Sequence, residues 1–149
     1  MRYFSRCLTM GFEGGLEATK QALKHHHFVI LAEIDLASII KTHLAVDFRP
    51  YLILSTCSLQ LAQRAIEVED EIGSVVLCDV VVQEHGDGRV EISAADPAET
   101  IGMINHVELI EIAKELRCQL REAIYDIDSS EECEQLTMRG HVLARAPVT

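Results

Sequence analysis

Five cysteines and seven histidines are the residues of this 149-residue chain best suited to chemistry. Cys57 comes first among them. Ser58 and an apolar-periodic run follow it, so the thiol falls where a strand hands over to a helix. The partial positive charge and free N–H groups of a helix start lower a thiol's pKa and make the thiolate available for redox, sulfur-transfer or metal chemistry. The same corner also suits a small buried side chain, and both readings stand. Cys78 shares a strand face with Val76, Val80 and Val82, which is a core setting. Cys7, Cys118 and Cys133 form no ligand pattern. Cys118 falls at the core edge of the last helix, and Cys133 lies in a tail, open to oxidation.

His25, His26 and His27 are consecutive. Helical neighbours point about 100° apart, so three in a row cannot converge on one point, and their place at a helix end suits the C-terminal dipole better than a metal. Asp35, Asp96 and His106 are the polar candidates for a ligand groove. The two aspartates also read as helix caps. His106 reads as the first residue of the last helix, where a neutral imidazole or an anion site is favoured. No CxxC, HExxH, GxGxxG or GxxxxGK[ST] pattern occurs, so no catalytic residue, metal or cofactor is assigned.

These residues must be positioned by the elements around them. Residues 2–9 read as a short strand. Phe12, Leu16, Ala22 and Leu23 recur at helical spacing over 12–26, with Gly14 and Gly15 weakening the first turn. Phe28 to Ile34 is apolar on both faces until Glu33 and reads as a buried strand. Asp35 then caps a helix carrying Leu36, Ile39, Ile40 and Leu44. Tyr51–Ser55 reads as a strand and Ser58 as the cap of the helix after it. Val75–Glu84 is the strongest strand, and His85-Gly86-Asp87-Gly88 turns it back into Arg89–Ala94. Asp96-Pro97-Ala98-Glu99 carries cap, first-turn proline and N3 acid, and that helix stops at Gly102. Leu109, Ile112, Ala113, Leu116, Leu120, Ala123, Ile124 and Ile127 line one face of a long helix over 106–127.

The order β-α-β-α-β-α-β-β-α predicts an α+β fold: one mostly antiparallel sheet of about five strands with helices on one face. Residues 1–127 form the expected single domain. Residues 128–149, acidic and then basic, form a tail that adds at most one strand near His141–Ala144.

Composition narrows the function. Asp plus Glu is 24 against 13 Lys plus Arg, a formal charge of −11, which repels nucleic acid and anionic membrane. No run of about 18 apolar residues suggests a bilayer span. The opening residues lack the apolar segment of a signal peptide, so a cytoplasmic protein with reduced thiols is expected.

A set of ordered segments resembles a known family. They are Phe28-Val29-Ile30-Leu31-Ala32-Glu33-Ile34-Asp35, Tyr51-Leu52-Ile53-Leu54 leading to Cys57, Gln60-Leu61-Ala62 with Ala65, Glu71-Ile72-Gly73, Leu77-Cys78 with Val80-Val81-Val82, and Asp96-Pro97. In order and spacing they are similar to domain of unknown function 302, over about residues 2–127. The resemblance implies a small α+β domain that forms homodimers. The chain departs from the family pattern in three places. Cys57-Ser58-Leu59 stands where the family has Cys-Asn-Pro, Val76-Leu77-Cys78 where it has Leu-Pro-Cys, and His27 where a Gly precedes the Phe.

Three functional readings follow. The first is a homodimeric, non-enzymatic ligand-binding or sensor module that holds a small molecule between subunits. The second is a thiol-based redox or sulfur-handling protein using Cys57, with or without Cys78. The third is a purely structural dimer serving a larger assembly.

Overall fold

The computed structural model describes residues 1–127, together with the backbone of 132–133 and 141–143. Its strands are β1 (Tyr3–Leu8), β2 (Val29–Asp35), β3 (Tyr51–Cys57), β4 (Cys78–Glu84), β5 (Val90–Ala95), β6 (Glu132–Cys133) and β7 (His141–Leu143). The helices are α1 (Phe12–His25), α2 (Leu36–Leu44), α3 (Leu59–Val68), α4 (Pro97–Thr100) and α5 (Val107–Tyr125), with a 3-10 turn at Asp70–Ser74. The sheet runs β2-β3-β4-β5-β1-β6, and β7 also pairs with β1. All pairings are antiparallel except β1 with β7. The α+β fold expected from the chain order is therefore the fold observed. The strand expected near His141 is β7, and β6 adds a short second pairing upstream. The rest of 128–149, including the side chain of Cys133, lies outside the described residues.

Strand alternation explains which face is packed. Leu54, Val80, Ala94 and Phe4 stand side by side across four strands, and all are buried. They share one core with the apolar stripe of α5, whose Leu109, Ile112, Ala113, Leu116, Leu120, Ala123 and Ile124 are all buried, while α1 packs on β4 and β5 and α5 on β1. Each such Leu or Ile contributes about 1.5–3 kcal/mol when removed from water. α5 also packs on α1, α3 and α4. Gly15, which costs α1 helix propensity, has a packing reason: a Cβ there would meet Val90 Cγ1 at 3.0 Å. Arg6, on the same face as Phe4, donates through Nη1 to the carbonyls of Tyr125 (2.9 Å) and Ile127, closing the C-terminal end of α5.

Four local expectations need correction. β2 is not a buried strand. Among the described residues it is the sheet edge, paired with β3 on one side, and every residue of it except half-buried Ile30 is exposed. Residues 75–77 precede β4 instead of opening it, and Val75 and Leu77 are exposed. Ser58 is the N-cap residue of α3, but its side chain makes no capping bond. His106 is the N-cap of α5, not its first helical residue. Among the described residues no helix is long and apolar enough to cross a membrane.

Candidate functional site

Cys57 ends β3 and Cys78 opens β4, and Thr56 is the register partner of Cys78. Thr56 Oγ1 also donates to the Cys78 carbonyl at 2.7 Å. The two thiols thus share one corner, and both are buried and free. Burial pushes the Cys57 thiol above its ordinary value, despite the helix start beside it. Cys78 is pushed up to about 12, chiefly by burial, then by the neighbouring Cys57 and by Asp79. The desolvation of a thiolate outweighs what the α3 terminus offers. Cys118, expected at the core edge, is exposed.

Asp35, Asp96 and His106 each serve a different helix. Asp35 accepts from Ser38 N at 3.0 Å and from Ser38 Oγ at 2.9 Å at the start of α2. Asp96 accepts from Ala98 N at 2.9 Å at the start of α4, and its other oxygen lies 3.3 Å from Arg117 Nε. It is buried, with 1% exposure, and so holds α4 to α5 away from solvent. His106 Nδ1 accepts from Glu108 N at 3.2 Å, so the ring caps α5 with an unprotonated nitrogen. Asp35 ends β2 and Asp96 follows β5, and β3 and β4 lie between those two strands, which sets them apart by on the order of 14 Å at about 4.8 Å per strand spacing. The structure does not bring the three together.

What it does form is a groove of about 580 Å³ between the end of α1 and α5. His25, His26 and His27 line one wall; Glu111, Lys114, Glu115, Cys118, Gln119 and Glu122 line the other. None of Asp35, Asp96 and His106 lines it. Gln119 fastens the two walls: its Nε2 donates to the His26 carbonyl at 2.7 Å, and its Oε1 accepts from Ser58 Oγ at 3.1 Å. That second bond is where the expected Ser58 cap went. His26 Nε2 lies 2.9 Å from Asp126, Arg64 grips Glu115 at 2.9 Å, and Lys114 faces Glu111. Among the described residues no group of His, Cys, Asp and Glu is placed to hold a metal ion.

The histidine run does mark a helix end. Phe28 N donates to Leu23 O and His27 N to Lys24 O, the paired bonds of a Schellman closure, with Leu23 and Phe28 both buried against the core. The residue between must be left-handed, and His27 has φ 66°. This is the position where the resembled pattern carries Gly.

A second polar cluster, invisible in sequence order, sits on the opposite face of the sheet. Arg49 Nε donates to Gln83 Oε1 at 3.0 Å, and Gln83 Nε2 donates to Glu91 Oε1 at 3.1 Å. His85 Nε2 reaches the same Glu91 oxygen at 3.4 Å. The Arg49 guanidinium lies 4.5 Å from the Phe48 ring centre and 5.6 Å from that of Tyr51. Alternation in β4 and β5 could have placed Gln83 and Glu91 together, but Arg49 lies 34 residues from its amide partner.

Beside Phe48 begins an exposed apolar segment. Residues 29–48 contain no buried residue. Yet Val29, Leu31, Ile34, Ile39, Leu44, Val46 and Phe48 are all exposed, Leu44 by 68%.

The model of the family described as Domain of unknown function DUF302 matches residues 4–127. A crystal structure of an uncharacterized conserved protein DUF302 from Bacillus stearothermophilus is similar to this one, with a TM-score of 0.77 and 24% sequence identity. The match covers 85% of this chain and 98% of that chain, and at this identity it shows a shared fold. No curated protein matches the chain.

Proposed function

Starting from the fact that this chain belongs to the DUF302 family, we propose that it works as a homodimeric, non-enzymatic ligand-binding or sensor module, assembled through residues 29–48. The observation that carries this reading is the uncovered apolar segment itself. A strand and a helix rich in apolar residues lie on the surface of one chain with no residue buried. Contiguous apolar patches of this kind mark interfaces. Twenty residues is close to the roughly 20–30 that each partner contributes to a standard interface of about 1,600 Å². A second copy is the occupant that the patch favours, because a two-fold axis lets the same apolar segment cover itself. The bulge between Ile30 and Ala32 interrupts the β2 edge, which favours packing of faces over strand-to-strand addition.

A small ligand would sit along the border of this interface, where apolar surface meets the polar cluster around Arg49. The thiol reading draws less support, since burial raises both Cys57 and Cys78.

Light scattering coupled to size exclusion tests the assembly. The expected mass is twice the 16.6 kDa of the chain. Ile39→Lys with Leu44→Glu, both at exposed sites, is expected to give a folded monomer. A monomeric wild type at about 100 µM would overturn the reading, since interfaces of this size hold at micromolar or tighter.

A further inference from the structure

We propose that Arg49 is a preorganised anchor for a small anion bearing a carboxylate or phosphate group. The inference deepens the binding-module reading by naming its ligand class. The chain carries many more acids than bases, and its arginines are mostly committed. Arg2, Arg64, Arg89 and Arg117 each face a carboxylate. Arg49 faces none. Its one hydrogen bond among the described residues runs from Nε to a neutral amide, so the fork formed by its two Nη groups points to no protein acceptor.

An exposed arginine with a free fork is ordinary when the side chain is mobile, and this one is held. Gln83 fixes Nε, and Glu91, itself only 9% exposed, fixes Gln83. Phe48 and Tyr51 hold the guanidinium against their rings and stand 6.2 Å apart in an edge-to-face pair. The rotamer entropy that a free arginine loses on binding is thereby lost beforehand. A guanidinium fork matches the two oxygens of a carboxylate or phosphate, and apolar surroundings strengthen such a contact. Those surroundings are present: Phe48 belongs to the exposed apolar segment.

The test is a titration of the isotope-labelled full chain with inorganic phosphate and, separately, with benzoate. The Arg49 Nε–H and Tyr51 ring signals are followed by NMR. A saturable shift with either anion is expected, and the tighter of the two identifies the phosphate or carboxylate source. Arg49→Lys keeps the charge but loses the fork, and should weaken binding by about tenfold or more; Arg49→Gln should abolish it. Absence of a saturable shift in the wild type would overturn the proposal, including the case where a carboxylate of a second copy already fills the fork. Undiminished binding by Arg49→Gln would overturn it equally. Sizing the same samples keeps the two readings separate: a monomer that binds the anion refutes the interface and retains this site.

Discussion

Gln119 donates to the main-chain carbonyl of His26 across 2.7 Å, so the middle of α5 holds the last turn of α1 in place. The next residue, His27, must then be left-handed for β2 to start where it does. A residue other than Gly or Asn in that conformation costs about 1–2 kcal/mol.

His27→Gly should therefore stabilise the protein. Relief of the left-handed cost, less the extra chain entropy of glycine, leaves a gain of about 0.5–1 kcal/mol. Urea unfolding monitored by circular dichroism measures it. His27→Ala, which keeps a Cβ, should show no such gain, and equal gains in both variants would refute the backbone argument.

Gly102→Ala should destabilise. A Cβ at Gly102 would lie 2.1 Å from the carbonyl oxygen of Ala98, so the turn after α4 must open. Overpacking of this kind costs about 1–3 kcal/mol. The expected readout is a lowered Tm, with Gly73→Ala, which meets nothing within 4 Å, as the unaffected control.

The Cys78 thiol makes stability depend on alkaline pH. Below the ordinary thiol pKa of 9.0 both states keep the proton. Above it the unfolded thiol ionises while the folded one holds its proton to about 12. The folded state then binds more protons than the unfolded state, so the unfolding free energy falls across that window, by at most about 1.4 kcal/mol per pH unit. Cys78→Ala should flatten this slope. An unchanged slope in the variant would show that the thiol ionises freely in the folded protein.

Alkylation by iodoacetamide at pH 7 should label Cys118 first among the described cysteines, because it is the exposed one. Cys7, Cys57 and Cys78 should react about tenfold more slowly or less, being buried. Mass mapping that finds Cys57 as fast as Cys118 would restore the thiol chemistry suggested by its place before α3.

Much of the fold was legible because short-range rules decide it. The α5 stripe, the Asp96-Pro97 start of α4 and the β4–β5 turn each rest on residues within a few positions of one another. The edge position of β2 was not legible. Val29 to Ile34 reads the same whether its cover comes from its own chain or from another, since composition reports that a surface is apolar and not what meets it. Ser58 reads as a cap, yet its hydroxyl goes to Gln119, 61 residues away. The groove and the Arg49 cluster were equally hidden, because each joins side chains from elements that only the sheet order brings together. The left-handed demand at His27 did leave a trace, in the Gly of the resembled pattern.

In the proposed dimer, residues 29–48 of two copies cover one another. The most direct measurement mixes isotope-labelled and unlabelled chains and records intermolecular NOEs by NMR. Contacts between copies are expected at the methyl groups of Ile34, Ile39 and Leu44. A dimer whose intermolecular contacts arise elsewhere, or a sample with none, would contradict this arrangement.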